Sequence, residues 1–371
     1  MIRVLHITGT MDVGGIETFL MNVYRNIDRN KVQFDFLLSG GTEFHYSEEI
    51  RKLGGKIYSV PSRNGGKDVL KNSKALDDFF RKHTEYKIVH QHVSSLSYIT
   101  PLLKAKKYHI PTRIVHSHST QEFGNYLNVV LHYIHKPIIS KLATNYFACS
   151  SLAAKWVYPE SLIKQNKHVI VKNAIDVENY KFDSAIRNKI RRELGISENE
   201  IVIGHVGRFV DLKNHKFIID IFNEITKKDT NFKLLFVGDG ILRGETEEKI
   251  IELGLKDKVI FTGVRPDVGN LLNAMDIFLF PSLYEGLGMA LIEAQSIGLK
   301  CFTSDNVVPQ EVDVTGLVNF ISLNESAKEW AKQILLSVNY NRKDKNKEIV
   351  AAGYDVCNIT NNLEEFYIRR G

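Results

Sequence analysis

The chain has 371 residues, with 49 Lys and Arg against 43 Asp and Glu, a net charge of +6, and 43% hydrophobic residues. This length predicts two domains that each bury a core, and the ordinary composition excludes a disordered or fibrous chain. The small charge excess suits an anionic substrate or membrane surface and argues against a nucleic-acid-binding protein.

The first half of the chain alternates strand-like and helix-like segments. An apolar run at residues 2–8 is followed by Met-Asp-Val-Gly-Gly and by apolar residues at helical spacing from Ile16 to Val23. A strand, a glycine loop and a helix are typical of the start of a βαβ unit. Further apolar runs follow at residues 34–38, 57–60, 88–90, 113–116, 146–149 and 169–171. This rhythm predicts an α/β domain with a largely parallel sheet.

A second cycle of strands and helices begins after the charged, helix-prone residues 184–195. Its predicted strands lie at residues 201–207, 233–238, 259–263, 277–282, 300–304 and 317–323. We therefore predict an N-terminal domain at 1–176 and a C-terminal domain at 177–354. Two open α/β domains are expected to bind ligands near the carboxyl ends of their strands.

Several motifs are absent from the sequence. It contains no dinucleotide fingerprint, no P-loop, no Asp-x-Asp and no cysteine or histidine spacing typical of a zinc site. The three cysteines, Cys149, Cys301 and Cys357, are scattered, which favours a reducing compartment. No secretory signal and no membrane-spanning stretch is apparent. These absences predict a cytoplasmic protein without a bound metal or cofactor.

Two cations follow the first strand of the second cycle. Arg208 and Lys213 lie between the strand at 201–207 and a helix that begins near Lys216. Cations at a strand-to-helix turn, next to a positive helix end, form a good clamp for a diphosphate. The alternative is a solvated basic loop.

The segment LFPSLYEGLGMALIEAQSIG carries two glutamates around a glycine loop. Gly286 and Gly288 let the backbone approach a ligand, and free amides at a helix start favour anionic groups. Glu293 lies among apolar residues of the following helix, where a carboxylate needs partners such as sugar hydroxyls. The alternative for Glu285 and Glu293 is an exposed glutamate or a structural ion pair.

The first domain offers fewer candidate residues. Gly14 and Gly15, between the first strand and helix, would allow close approach of a phosphate, or would only form a tight turn. His116 and His118 alternate at the end of a strand, where active-site loops occur. A hydrogen-bonded structural role is the alternative for both histidines.

One segment of the first domain could contact a membrane. Residues 127–141 carry apolar side chains among lysines and histidines, and Lys104, Lys106 and Lys107 lie earlier in the chain. Such a surface suits an anionic leaflet that holds a lipid-linked acceptor. The alternative is a helix packed on its own domain.

These segments together resemble the retaining glycosyltransferases of family 4, which have the GT-B fold, and particularly the subgroup of bacterial exopolysaccharide and capsule assembly. The resemblance covers nearly the full length, through MDVGGIETFLMNVY, VHSHS, VIVKNAIDVENYKF, HVGRFVDLKNH, LLFVGDG, VIFTGVRPDV and FLFPSLYEGLGMALIEA. The last stretch contains the E-x7-E motif of the family, its most specific element. The resemblance implies two facing Rossmann-like domains with a cleft between them, the first on the acceptor side and completed by a C-terminal helix at about 355–371.

The resemblance implies roles for residues of the second domain. Arg208 and Lys213 would bind the donor diphosphate and stabilise the departing nucleoside diphosphate, and Glu293 would hold the ribose. Glu285 would contact donor-sugar hydroxyls together with the backbone amides around Gly286, Leu287, Gly288 and Met289.

In the first domain, the resemblance implies that Gly14 and Gly15 approach the diphosphate. His118 would contact the donor sugar near the reacting carbon, and His116 is the less favoured candidate. The implied reaction is metal-independent and retaining. It moves a sugar from a nucleotide-sugar, expected to be a UDP-sugar, to a saccharide or lipid-linked saccharide in surface polysaccharide synthesis.

One stretch departs from the family pattern. Residues 304–311 read SDNVVPQE where the family often has two glycines followed by Pro-Glu. The identity of the donor is therefore left open. Two other functions also remain open, a sugar-nucleotide epimerase of the same fold and a non-catalytic sugar-nucleotide-binding subunit.

Overall fold

A computed structural model describes residues 1–63, 66–120 and 126–371. Contacts within the chain divide it into two compact units. Unit 1 consists of Met1–Ala174 and Val356–Gly371, and unit 2 of Ile175–Asp355. The sequence places the first boundary after residue 176, whereas the contacts place it after Ala174.

Unit 1 alternates strands and helices from its first residues. Its strands and helices before the boundary are β1 (Ile2–Ile7), α1 (Gly15–Asn26), β2 (Val32–Ser39), α2 (Ser47–Lys52), β3 (Ile57–Val60), α3 (Gly66–Lys82), β4 (Ile88–Val93), α4 (Thr100–Lys107), β5 (Thr112–Ser117), α5 (Tyr126–His135), α6 (Ile139–Leu142), β6 (Asn145–Ala148), α7 (Ser151–Val157), α8 (Glu160–Lys164) and β7 (His168–Ile170).

Unit 2 repeats this alternation. Its strands and helices are α9 (Ser184–Glu193), β8 (Ile201–Val206), α10 (His215–Thr226), β9 (Phe232–Val237), α11 (Arg243–Glu252), β10 (Val259–Phe261), α12 (Val268–Ala274), β11 (Ile277–Phe280), α13 (Met289–Ser296), β12 (Lys300–Ser304), β13 (Val318–Ile321), α14 (Ala327–Leu335) and α15 (Asn346–Ala351). The last helix, α16 (Val356–Arg370), belongs to unit 1.

Each unit is built on one sheet of parallel strands. The order is β3-β2-β1-β4-β5-β6-β7 in unit 1 and β10-β9-β8-β11-β12-β13 in unit 2. The described strand pairs are parallel throughout. In both sheets the chain first winds to one side of the opening strand and then crosses to the other. The predicted α/β class with two Rossmann-like units is confirmed.

The two reversals of winding create the positions where open parallel sheets bind ligands. In unit 1 the reversal lies between β1 and β4, and in unit 2 between β8 and β11. We call these positions the unit 1 and unit 2 switch points. At a switch point the loops that follow two adjacent strands diverge, which leaves a crevice at the carboxyl edge of the sheet.

Buried strands explain why the sheets form as they do. β2 reads VQFDFLLS and is buried along nearly its whole length, as expected for a strand covered on both faces. Its charged member, Asp35, accepts hydrogen bonds from Arg3 and from the Tyr86 hydroxyl at 2.7 Å. These donors satisfy a carboxylate that would otherwise be costly to bury.

Helix α16 completes the core of unit 1. Leu363 and Tyr367 are buried against the cluster that contains Phe34 and Phe147. The Tyr367 hydroxyl lies 2.7 Å from Nδ1 of His90, a residue of β4. Within the described ranges, no helix is long and apolar enough to cross a membrane.

Candidate active site

The unit 2 switch point brings together residues from two distant parts of the chain. The loop after β8 carries Lys213, and the loop after β11 carries Glu285. The Leu283 amide donates to the Leu212 carbonyl at 2.8 Å, and the Asn214 side-chain amide donates to the Pro281 carbonyl at 3.1 Å. Because these bonds hold the two loops side by side, they define the geometry of the site.

Lys213 and Glu285 form an ion pair at this point. The Lys213 ammonium also lies 4.5 Å from the centre of the Phe280 ring. Both side chains of the ion pair keep about a fifth of their surface exposed, at 21% and 17%. The two predicted site residues are therefore neighbours, and Lys213 is held by a carboxylate rather than extended into solvent.

Arg208 is exposed on the same loop, next to Gly207. The backbone here is packed against the loop that follows β9. Gly238 has a φ of +132°, and a Cβ atom on it would lie 2.1 Å from the Gly207 carbonyl oxygen. Only glycine fits such a contact. The backbone that presents Arg208 is thus fixed by a residue about thirty positions away, which sequence reasoning did not single out.

The glycine loop leads into helix α13. Gly288 is the N-cap residue, with a φ of +79° that glycine adopts without strain. No side chain caps this end of the helix, so its first amides remain available to an anionic ligand. Leu287 is buried, and no described atom lies within 4 Å of a Cβ placed on Gly286. The loop therefore has one packed side and one open side.

Glu293 lies two turns into α13 and is partly buried. Burial raises its pKa to about 7, and the hydrogen bond from the Tyr180 hydroxyl opposes that shift. Tyr180 ends a short 3-10 turn at Val177–Tyr180, just after the boundary between the units. Sequence reasoning expected Glu293 to need a partner and missed Tyr180, because 113 positions separate the two residues in the chain.

In unit 1, Gly14 and Gly15 lie at the start of α1. Gly14 is the N-cap residue in an extended conformation, with a φ of −157°, so it is not forced to be glycine by its backbone angles. No described atom lies within 4 Å of a Cβ placed on Gly15. This open space is what a ligand needs to approach the backbone of Gly15 closely. The contact of Gly15 with a phosphate stays a prediction.

His118 directly follows β5 and is the last member of a row of imidazoles, in which His6 and His92 are buried and His118 is partly buried. Nδ1 of His6 lies 3.0 Å from Nε2 of His92, and Nδ1 of His92 lies 2.9 Å from Nε2 of His118. A neutral imidazole has one donor and one acceptor nitrogen. The tautomer of each ring in the row therefore depends on its neighbour.

His116 belongs to a second row and is fully buried. Its Nδ1 lies 3.2 Å from Nε2 of His90, whose other nitrogen faces Tyr367. His116 thus has the structural environment that sequence reasoning held as its alternative. The sequence signal for both rows is the alternation of His-Gln-His in β4 and of His-Ser-His at the end of β5, which places the two histidines of each pair on one face of the sheet.

The histidine rows also contain the groups of possible metal ligands among the described residues. Ring nitrogens of His6, His90 and His92, and of His92, His116 and His118, lie within 4.8 Å of one another. Most of these nitrogens already hydrogen-bond to a neighbouring ring, which occupies the lone pairs that a metal ion would need. The sequence showed no such cluster because its members come from three separate strands.

Comparisons with known proteins identify glycosyltransferase families along nearly the whole chain. Residues 186–355 match the family described as "Glycosyl transferases group 1", and residues 13–179 match "Glycosyltransferase Family 4". The putative glycosyltransferase EpsF of Bacillus subtilis (strain 168) is 33% identical over 95% of this chain and 93% of its own length. The capsular polysaccharide biosynthesis glycosyltransferase CapH of Staphylococcus aureus is 26% identical over 100% of this chain and 99% of its own.

A solved structure supports the same fold. Anabaena Alr3699/HepE, in a complex with UDP and glucose, has a TM-score of 0.77, 18% sequence identity and 99% coverage of each chain. The two parallel-sheet units have the GT-B fold, and the family matches and relatives show that the chain is a glycosyltransferase. The chain belongs to glycosyltransferase family 4, and its relatives include enzymes of capsular polysaccharide biosynthesis.

The buried imidazoles predict that unit 1 loses stability in mild acid. Burial lowers the pKa of His6 and of His118 to about 3, and lowers the pKa of His90, His92 and His116 well below 6.5. The unfolded chain binds protons below pH 6.5 that the folded unit does not bind, so stability falls with pH from 6.5 towards 3. Each imidazole lowers the free energy of unfolding by at most about 1.4 kcal/mol for each pH unit below 6.5.

The measurement is urea unfolding, monitored by tryptophan fluorescence, at a series of pH values between 7.5 and 5. Trp156 reports on unit 1 in a Trp330→Phe variant, and Trp330 reports on unit 2 in a Trp156→Phe variant. Unit 2 is the control, since it has only two histidines, His205 and His215, whose pKa burial lowers. We expect a steeper loss of unfolding free energy for unit 1. Equal slopes for the two units would contradict the prediction.

Proposed function

We propose that unit 2 binds the diphosphate and ribose of a UDP-sugar at its switch point, and that the protein transfers the sugar to a saccharide or lipid-linked saccharide. The observation that carries this proposal is the arrangement after β8 and β11. There, two cations, a glycine loop with free helix amides and a carboxylate within a helix follow adjacent strands. UDP is a ligand of the similar HepE structure, which supports uridine as the nucleoside of the donor.

Each group suits one part of such a donor. Arg208 and Lys213 provide hydrogen-bond donors with positive charge for the diphosphate. The Glu293 carboxylate can accept two hydroxyl hydrogen bonds from a ribose. Glu285 and the amides from Gly286 to Met289 would contact the donor sugar. The roles of Gly14, Gly15 and His118 towards the donor remain predictions from the family resemblance.

The proposed chemistry follows from where charge develops. Transfer passes through an oxocarbenium-like transition state, in which negative charge grows on the leaving phosphate. Lys213 is paired with Glu285 at the edge of the sheet that would hold this phosphate, and Arg208 lies on the same loop. Preorganised cations of this kind stabilise a leaving diphosphate without help from a metal ion. Attack on the face that the diphosphate leaves would retain the anomeric configuration.

The pKa of Glu293 predicts how donor binding depends on pH. A carboxylate with a pKa of about 7 is mostly protonated at pH 6 and mostly ionised at pH 8. Because the ionised form accepts ribose hydroxyls better, we expect UDP-glucose affinity to rise about tenfold over this range. UDP-glucose is the better probe, since the terminal phosphate of free UDP titrates nearby.

Isothermal titration calorimetry measures this dependence, after a thermal-shift screen of UDP-, GDP- and ADP-sugars has identified the donor nucleotide. Glu293→Gln should bind more weakly and without the pH dependence. Tyr180→Phe is the matched control, because loss of its hydrogen bond raises the Glu293 pKa and moves the midpoint to higher pH. A wild-type affinity that stays flat from pH 6 to 8 counts against the ribose contact.

Arg208 offers the test of transition-state stabilisation. We expect Arg208→Ala to lower turnover by roughly 10²–10³, as for removal of one preorganised donor to a developing anion. Lys216→Ala is the control, because Lys216 lies in the first turn of α10 but pairs with Glu245 on the surface. Acceptor-dependent release of UDP is the assay. A loss of turnover below threefold in Arg208→Ala would contradict this role of Arg208. Conversion of the sugar of the donor in the absence of acceptor would indicate an epimerase.

A membrane contact is proposed for α5 and the segment after it. Tyr126, Leu127, Tyr133 and Ile134 are 82%, 61%, 59% and 54% exposed, an unusual density of apolar surface on one short helix. Part of the positive charge is offset by a carboxylate, since Lys104 and Lys107 both pair with Asp77. Apolar insertion would therefore contribute more than charge, and it would hold the protein at the inner face of the cell membrane.

Co-sedimentation with vesicles that contain anionic phospholipid measures this contact. We expect the pair Tyr133→Ser and Ile134→Ser to reduce the bound fraction severalfold, because two exposed apolar anchors are lost. The pair Ile241→Ser and Leu336→Ser is the control, since these side chains are 86% and 79% exposed in unit 2. Equal binding by the two double variants would contradict a contact through α5.

A further inference from the structure

A cavity of about 480 Å³ opens beside α9 in unit 2. Six residues line it, four from α9 and two from the connection to β8, namely Arg187, Asn188, Arg191, Arg192, Ile196 and Glu198. Its volume lies within the roughly 300–1,000 Å³ of pockets that bind small molecules. Three of the six residues are arginines, and arginine side chains bind anions such as phosphate and carboxylate.

This cavity, which we call the arginine cavity, lies at the amino edge of the unit 2 sheet. The connection that lines it leads into the start of β8. Asp276, which directly precedes β11, pairs with two of its arginines and accepts a hydrogen bond from the Val202 amide at 2.8 Å. Lys213 and Glu285 follow β8 and β11, at the carboxyl edge. A ligand in the arginine cavity would therefore lie away from the proposed donor site.

Positive charge is concentrated behind the wall of the cavity. Arg187 and Arg191 share the carboxylate of Asp276, with an N–O distance of 2.5 Å for each. Arg342 belongs to the same cluster, since burial and the charge of Arg187 lower its pKa to about 9. Three guanidinium groups are thus gathered around one carboxylate. Because like charges repel more strongly in a partly buried cluster than in water, a bound anion would stabilise this one.

Arg187 and Arg191 also stabilise the fold. Both donate to the carbonyl of Ala274, the last residue of α12, at 3.3 Å and 3.0 Å. Cations at this position stabilise the C-terminal end of a helix. Arg191 donates to three further carbonyls in the connection to β8, and its side chain is only 4% exposed. Arg191 therefore holds the wall in place, whereas Arg187 keeps 20% of its side chain exposed.

Arg192 has no comparable role in the fold. It is exposed, and its Nε donates to the Asn188 carbonyl one turn earlier at 3.2 Å. Its two terminal nitrogens form no hydrogen bond or ion pair within the described ranges. The side chain of Asn188 is also exposed and makes no hydrogen bond in this part of the structure. The cavity thus contains a guanidinium and an amide whose donors are open to a ligand.

Two carboxylates of the connection oppose an anion to different degrees. Glu200 pairs with Lys233 at 3.5 Å, so its charge is offset. Glu198 lines the cavity, is exposed, and pairs with no cation among the described residues. Glu198 therefore weakens the attraction for an anion, but the wall still has three arginines against one carboxylate.

We propose that the arginine cavity binds a phosphate group, either free or as part of a small molecule, with Arg187 and Arg192 as its cationic contacts and Asn188 as a neutral donor. Arginine suits phosphate because its guanidinium presents two parallel N–H groups to two phosphate oxygens. The site goes beyond the proposed function, because its ligand binds at the sheet edge opposite to the donor and does not compete with it.

Thermal unfolding at constant ionic strength tests this site with inorganic phosphate and glucose 1-phosphate as probes. Saturating UDP-glucose is present throughout, so that the donor site is occupied. We expect the probes to raise the unfolding temperature of wild type. Arg192→Ala should require about fivefold to tenfold more phosphate for the same rise, because a charge-assisted hydrogen bond is lost. Lys189→Ala is the matched control, since Lys189 is an exposed cation of α9 outside the cavity.

Glu198→Gln gives a second variant with the opposite expected sign. Because it removes the repulsion of an exposed carboxylate, it should lower the phosphate requirement about twofold without disturbing the fold. Tighter binding of glucose 1-phosphate than of phosphate assigns the site to phosphate esters, and equal binding assigns it to free phosphate.

Two results would overturn the site. One is an unfolding temperature of wild type that neither probe raises. The other is an equal response of Arg192→Ala and Lys189→Ala to the probes. Both readouts are independent of the donor site, whose occupancy is measured separately by calorimetry with UDP-glucose. Failure of wild type to bind UDP-glucose contradicts the proposed function and leaves the difference between Arg192→Ala and Lys189→Ala as the test of the arginine cavity.

Discussion

Parallel pairing around one early strand is the constraint on which the rest of each unit depends. Parallel strands need a crossover for every pair, and all their carboxyl ends lie at one edge of the sheet. The chain winds away from β1 in one direction and from β4 in the other, and it repeats this around β8 and β11. Residues far apart in sequence, such as Lys213 and Glu285, are thereby placed in contact. The charged site of unit 2 lies at such a reversal.

The charge of the protein acts locally rather than as a whole. The net charge of +6 indicated only a preference for anions. In the structure, many surface lysines are paired, as Lys104 and Lys107 are with Asp77. Lys213 is paired too, but with a carboxylate at the carboxyl edge of the sheet, where a diphosphate can compete for it. Whether a lysine of such a protein can bind an anionic ligand depends on the carboxylate with which it is paired.

Buried polar groups are the cost of building these sites. Burial raises the pKa of Glu293, and four buried imidazoles and the partly buried His118 form two hydrogen-bonded rows in unit 1. Burial disfavours the charged form of each group. The imidazoles therefore lower the stability of the fold as the pH falls below 6.5, and Glu293 lowers it as the pH rises through about 7. Proteins tolerate such groups where a site needs them. The row that ends at His118 gives this residue a neutral ring whose orientation depends on His92.

The sequence alone determined the α/β class, the strand positions and most candidate residues. These features depend on local patterns, such as apolar runs between polar stretches and the spacing of Glu285 and Glu293. Only the tertiary structure determined which residues contact these candidate residues. Tyr180 beside Glu293 and Gly238 under the loop of Arg208 both depend on contacts between segments remote in the chain. Periodicity reports which face of a strand or helix is buried, but it carries no information about which remote side chain packs there.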